Sequence, residues 1–294
     1  MTDVLAIGDR LYSSWSLRGW LLFEQFEIAV TTRHATMRTP GFAEMLADFG
    51  AARTVPALKT GEAVLWDTLA IAETLAEQHP NAGHWPKDPA ARALARTLVA
   101  EMHAGFTALR GAFPMNLARA YTGVDVTPDI QADVDRIQHL WRLARGHAGP
   151  GPWLFGAYSA VDAFYAPVAA RLATYDVPLE QDAATYVAAH LALPAFRRWR
   201  AMGFAEGTRQ AHYEFEHADR PWPGPASLPA RAVDSTEALN PLCPYSGKPV
   251  AGDSLAEIDG MVIGFCNTFC RDKSVADAQA WPKLVALMDG LRPA

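Results

Sequence analysis

Leu11-Tyr12-Ser13-Ser14-Trp15-Ser16-Leu17-Arg18 is the stretch that decides the reading of the first domain. It follows the short apolar run Val4-Leu5-Ala6-Ile7 and precedes an amphipathic stretch carrying Leu17, Trp20, Leu21 and Phe26. A strand, a serine loop and a helix in that order bring hydroxyls and free backbone N–H groups to one place. Helix N-termini carry unpaired donors and partial positive charge, so that place suits an anion. Serines are also ordinary helix caps, so the loop takes its meaning from residues 54–58 and 66–71.

Residues 28–32 offer a second strand, and 50–66 read as two strands around a turn at 59–62. Thr54-Val55-Pro56-Ala57-Leu58 opens one of these on a proline, which cannot donate a ladder hydrogen bond. A cis Val55–Pro56 peptide would account for it. It would also turn the Val55 N–H and C=O outward, toward an extended peptide ligand. A trans proline at a strand edge is the alternative. Trp66-Asp67-Thr68-Leu69-Ala70-Ile71 then opens a helix with Leu69, Ala72 and Leu75 inside. Asp67 and Thr68 serve there as a cap and a dipole partner. Alternatively they grip an α-amino acid, the Thr68 hydroxyl and N–H on its carboxylate and Asp67 on its ammonium.

These three features in this order resemble the thioredoxin-fold N-terminal domain of the cytosolic glutathione transferases, and the resemblance extends over about residues 1–210. It implies an α/β thioredoxin-like domain (1–82), then an all-α substrate domain (88–210), the glutathione transferase fold. It implies that Val55 and Pro56 bind the cysteinyl backbone of glutathione. Asp67 and Thr68 stand where the family usually has Glu/Gln-Ser and would hold the γ-glutamyl group. The loop resembles the serine-type loops of the zeta and tau classes. Counting back five from Arg18 puts the catalytic hydroxyl at Ser13, with Ser14 and Ser16 as neighbours that share the work. Trp15 replaces the zeta-class cysteine, which counts against the zeta isomerase activity, and would wall the substrate pocket. Arg53, like Arg38, is a candidate for the glycine carboxylate. A homodimer is also implied.

The chemistry follows from what a thiolate needs. A free thiol with a pKa near 8.5 is mostly protonated at neutral pH, and the thiolate is the nucleophile. A serine hydroxyl donating to sulfur, together with a helix N-terminus, favours the anion. The expected activity is therefore glutathione S-transfer to a small electrophile, by conjugation or isomerisation. Disulfide reduction is disfavoured, because the loop has no cysteine.

From Pro89 to about Gly203 the periodicity is helical: Ile130, Val134, Ile137, Trp141 and Ala144 make one stripe, opened by Thr127-Pro128-Asp129. Ser159-Ala-Val-Asp162 before an apolar helix is a capping box, worth about 1 kcal/mol for the hydroxyl. The family has that box in the same place. Trp20, Trp141 and Trp199 sit on helical stripes and read as core.

Residues 211–239 are rich in proline and read as a linker, followed by a small α+β domain at 240–294 holding all three cysteines. Cys243-Pro-Tyr-Ser-Gly-Lys and Phe-Cys266-Asn-Thr-Phe-Cys270 resemble the small YHS-like, heavy-metal-associated domains. Three thiolates at Cys243, Cys266 and Cys270 suit zinc or another soft ion, the alternative being three buried structural thiols. The histidines show no metal-ligand spacing.

Composition bounds the rest. A net charge of −6 argues against a nucleic-acid or anionic-membrane surface. No apolar run approaches the length of a membrane span, and no basic, apolar leader is present. A cytoplasmic protein is expected, with no nucleic-acid or membrane partner. The competing functional class is a non-enzymatic glutathione transferase-like binding protein whose cysteine domain binds or senses a metal.

Overall fold

The computed structural model of the protein describes residues 2–234 and 237–292. The chain divides into two compact units, Met1–Leu191 with Gln210–Pro223, and Ala192–Arg209 with Gly224–Ala294.

The first unit opens with β1 (Asp3–Ile7), α1 (Ser14–Glu24), β2 (Val30–His34), α2 (Pro40–Ala47), β3 (Ala57–Thr60), β4 (Ala63–Trp66) and α3 (Thr68–Gln78). The sheet order is β2-β1-β3-β4, with β2 parallel to β1 and the other two pairings antiparallel. This is the thioredoxin-like arrangement expected. β2 begins two residues later than the apolar pattern suggested, because the Ile28 N–H closes onto the Phe23 carbonyl at the end of α1. Leu5, Ala6 and Ile7 are fully buried in the central strand. That fixes β1, and with it the serine loop that leaves its C-terminal end.

The helical part contains α4 (Pro89–Ala104), α5 (Thr107–Ala112), β5 (Tyr121–Thr122), α6 (Pro128–Arg145), α7 (Ala160–Thr174) and α8 (Gln181–Ala192). Every residue of α7 is buried, and its six alanines let α1 and α4 pack closely against it. Its capping box is formed as read: Asp162 accepts from the Ser159 N–H at 2.9 Å and the Ser159 hydroxyl at 3.1 Å. The same carboxylate also takes the Leu154 N–H and the Tyr186 hydroxyl. Burial nevertheless outweighs these four donors and lifts its pKa to about 6.

In the second unit, α9 (Pro194–Glu206) runs along α10 (Thr268–Ala276). The short β6 (Ala218–Asp219) belongs to the first unit and pairs with β5. β7 (Ala230–Val233), β8 (Leu255–Ile258) and β9 (Met261–Gly264) form an antiparallel sheet in that order, and α11 (Pro282–Leu291) completes the unit. Ile258, Ile263, Phe265 and Leu284 centre its core.

Two expected boundaries are corrected here. The helical domain was placed to residue 210, but α9 groups with the C-terminal unit. Its Ala201 joins that core, and Arg197 makes a two-pronged pair with Asp277, both contacts at 2.7 Å. The segment 211–239 is not all linker, since β7 is a full partner of β8. Its prolines lie outside the strand, so they masked a short pairing segment. Ser235 and Thr236 of that segment lie outside the described residues.

Candidate active site

Ser13 is the N-cap of α1, and its oxygen accepts the Ser16 N–H at 3.3 Å. Its hydroxyl donates to Ser16 Oγ at 2.7 Å, and Ser16 Oγ also takes the Gly8 N–H at 3.0 Å. Ser16 is thus fully buried and ties β1 to α1. Of the three candidate serines it is the one the structure keeps away from any cavity. Ser13 and Ser14 both line a cavity of about 390 Å³, together with Tyr12, Trp15, Met37, Arg110, Arg171 and Tyr213. Ser14 Oγ accepts from Arg171 Nη2 at 3.3 Å, which leaves its own proton available.

A second cavity, of about 260 Å³, is lined by Trp15, Thr54, Val55, Pro56, Asp67 and Thr68. Trp15 is common to both, a half-buried ring between them. The Val55–Pro56 peptide is cis. Asp67 caps α3 by accepting the Leu69 N–H at 3.0 Å, and its other oxygen meets His103 Nε2 at 3.1 Å. Its φ of +79° is a backbone conformation that a residue with a side chain seldom adopts without a local reason. Thr68 is fully buried, and its hydroxyl has no hydrogen-bond partner. Such a group costs about 1–3 kcal/mol if nothing satisfies it. Arg53 is exposed and lines neither cavity, so the structure does not bring it to the site.

Three guanidinium groups surround Trp15 and the serines. Arg18 is wholly buried, its Cζ 4.4 Å from the Trp15 ring centre, and none of its nitrogens has a hydrogen-bond partner. Arg110 sits 5.4 Å from the same ring and donates to the His103 and Gly105 carbonyls. Arg171 donates to the Phe113 and Pro167 carbonyls. Burial pulls the Arg171 pKa down to about 10, with the Arg110 charge adding to the effect. Arg18 is lowered further by burial and by both other arginines, with Asp67 acting in the opposite sense. Burial likewise lowers His103, against the pull of Asp67. Sequence reading passed over Arg110, Arg171 and His103. The one signal available for Arg171 was a lone cation on a helix otherwise almost wholly apolar.

Residues 12–78 match the family model described as Glutathione S-transferase, N-terminal domain. Solved structures with the same architecture include a glutathione transferase homologue from Burkholderia gl BGR1 with bound glutathione. It is 21% identical, covers 69% of this chain and 99% of its own, and has a TM-score of 0.53. Glutathione transferase Omega 1C from Trametes versicolor, 18% identical, covers 74% of this chain and 99% of its own at a TM-score of 0.53. The Tau class enzyme of mango, Mangifera indica, is 15% identical over 68% of this chain and 92% of its own, at 0.52. The fold is that of the glutathione transferases. No curated protein sequence matches the chain. In a glutathione transferase fold, the two cavities beside Trp15 both lie against helix N-termini of the thioredoxin-like part, α1 on one side and α3 on the other.

The second unit brings Cys243, Cys266 and Cys270 together, all three Sγ atoms within 4.8 Å of one another. Among the described residues they are the one group of three potential metal ligands drawn from histidine, cysteine and acidic side chains. Thiolates on a zinc ion at about 2.3 Å stand about 3.8 Å apart, so a closure of no more than about 1 Å would seat a metal. The donor set therefore fits a thiophilic ion. Burial alone would raise the Cys243 thiol, but the Ser246, Tyr245 and Cys266 backbone groups and the Ser246 hydroxyl bring it to about 7. Burial pushes Cys270 up to about 12 despite Lys273 nearby. Cys266 accepts from the Ser246 hydroxyl at 3.2 Å and from the Asn267 amide at 3.4 Å. Asn267 caps α10, its side-chain oxygen accepting the Cys270 N–H at 2.8 Å. No helix among the described residues is long and apolar enough to cross a membrane.

Proposed function

We propose that the protein is a glutathione S-transferase that activates the glutathione thiolate through a serine hydroxyl. The observation that carries this reading is the convergence of two helix N-termini on Trp15, one bearing Ser13 and Ser14, the other Asp67 and the unpartnered Thr68 hydroxyl. The γ-glutamyl carboxylate would take the Thr68 hydroxyl and N–H, its ammonium would pair with Asp67, and Val55 would pair with the cysteinyl backbone. The sulfur then lies toward the α1 N-terminus. There Ser13, or Ser14 with its proton free, donates to it and holds the anion. The thiol proton leaves to solvent, the sulfur lone pair forms a bond to the electrophilic carbon, and the leaving group departs with the broken bond's electrons. Where the electrophile is a double bond, those electrons take up a proton instead.

Isothermal titration with glutathione, followed by conjugation of a simple aryl halide, tests the reading. Binding at millimolar concentration or tighter with enzymatic turnover is expected; no heat and no turnover would overturn it. Homodimerisation and a cytoplasmic setting, where thiols stay reduced, belong to the same proposal.

A second reading is favoured by the cysteine cluster. Cys243, Cys266 and Cys270 would hold a soft divalent ion such as zinc, and the protein would then be a binding or sensing device with the transferase fold kept as a scaffold. Loss of turnover with retained metal binding would favour that reading over the enzymatic one.

A further inference from the structure

We propose that the cavity beside Ser13 and Ser14 is a site for a carboxylate carried by the electrophile, gripped by Arg110 and Arg171. This names a substrate class for the glutathione-transferase reading and rests on it. Three observations converge. First, Arg110 and Arg171 both act to lower the proton affinity of Arg18, against Asp67, and Arg110 acts likewise on Arg171. Among the described residues the Arg18 nitrogens have no hydrogen-bond partner, and Arg110 and Arg171 donate to carbonyls and a serine rather than to a carboxylate. Buried cations are ordinarily paired, and leaving several unpaired in one place is expensive unless a ligand supplies the charge. Second, the arginine donors are only partly used. Arg110 directs one nitrogen to two carbonyls, and Arg171 directs its Nη2 at Ser14 Oγ, inside the cavity. The fork geometry of a guanidinium suits the two oxygens of a carboxylate. Third, the remaining walls are flat and apolar: Tyr12 stacks on Tyr213 at 5.1 Å, with Trp15 and Met37 beside them. An unsaturated or aromatic acid fits such a lining, its ring or double bond against the tyrosines and its carboxylate at the arginines.

The γ-glutamyl carboxylate of glutathione is a poor explanation for these cations. It is drawn to Thr68 across Trp15, in the other cavity. The protein as a whole is acidic, at −6, so the local surplus of positive charge is not a general property of its surface.

The test compares two glutathione conjugates that differ by one group, S-benzylglutathione and S-(4-carboxybenzyl)glutathione, by calorimetry on the full chain. The acid should bind about tenfold tighter or more. In Arg110→Met that preference should fall to about threefold or less while S-benzylglutathione keeps its affinity, and Arg110→Lys should restore part of it. Arg171 is less suitable for replacement, since its bond to the Phe113 carbonyl ties α7 to the chain that follows α5. Equal binding of the two conjugates by the unaltered protein would overturn the proposal and leave the glutathione reading standing. Equal weakening of both by Arg110→Met, with its thermal midpoint unchanged, would also overturn it, because the arginine would then be serving the glutathione part. If neither conjugate binds, the glutathione reading itself falls, and this inference with it.

Discussion

Replacing Ser13 by alanine is the sharpest probe of how sulfur would be activated. Its hydroxyl donates to Ser16 Oγ at 2.7 Å in the free protein and would have to turn toward the sulfur when glutathione binds. A hydrogen bond to an anion is worth about 1.5–3 kcal/mol, and one pKa unit is 1.36 kcal/mol, so its loss raises the bound thiol's pKa by about 1–2 units. Below that pKa the thiolate fraction falls about 10- to 100-fold. A more basic thiolate is intrinsically more nucleophilic, with a Brønsted slope of about 0.4, so the rate falls only about 4- to 16-fold. Above the new pKa the deficit should invert to a gain of about 2.5- to 6-fold, since both thiols are then ionised and the more basic one is the better nucleophile. The assay is a pair of titrations across the neutral and mildly alkaline range, thiolate absorbance with glutathione bound and kcat/KM for an aryl halide. Glutathione affinity itself should be little changed, because the contacts at Asp67 and Thr68 remain. Loss of the cap lowers stability by about 1 kcal/mol, which thermal melting would register. A Ser13→Ala protein that melts as expected but titrates at the original pKa would refute the role of Ser13. The same result in Ser13→Ala/Ser14→Ala would refute serine activation altogether.

Other perturbations have definite signs. Thr68→Val removes a buried hydroxyl with no partner, so the free protein should be as stable or more stable, while glutathione affinity drops about tenfold; calorimetry and melting together check this. His190 is fully buried with neither ring nitrogen hydrogen-bonded, and burial lowers its pKa to about 3. The unfolded chain therefore binds a proton that the folded chain refuses, and stability falls as pH drops below about 6.5, by about 2 kcal/mol at pH 5. Asp162, lifted to about 6, acts in the opposite direction in that window, so the measurement is the difference in pH dependence between the natural protein and His190→Phe. Equal slopes would contradict the burial argument. Cys243→Ser should abolish zinc retained through gel filtration after stoichiometric loading. Equal, negligible metal in both proteins would sink the cysteine site.

The local signals read correctly where one residue type had one physical job. Pro56 could not sit in a strand as an ordinary donor, and the peptide before it is cis. Ser159 and Asp162 formed the box that their spacing requires. Periodicity succeeded on α6 because one face is buried and the other wet. It had nothing to say about α7, where every face is buried and no stripe exists. That is why Arg171 was passed over: its importance lies in where the helix points it. Ser16 shows the converse. In sequence it is a neighbour of Ser13 as Ser14 is, and the bonds that the Gly8 N–H and the Ser13 hydroxyl make to its oxygen hold it inward.

By itself, then, the order of strand, serine loop, Val-Pro and Asp-Thr helix start determined the thioredoxin-like domain, because each of those elements is specified by short-range backbone chemistry. The boundaries of the C-terminal unit and the gathering of three arginines around Trp15 were decided by tertiary structure alone. They depend on contacts between residues far apart in the chain: Arg197 with Asp277, Ala230 with Ile258, and Arg171 with Ser14. Such pairings leave no periodic trace in the sequence, since either partner alone looks like an ordinary surface charge or a short apolar run.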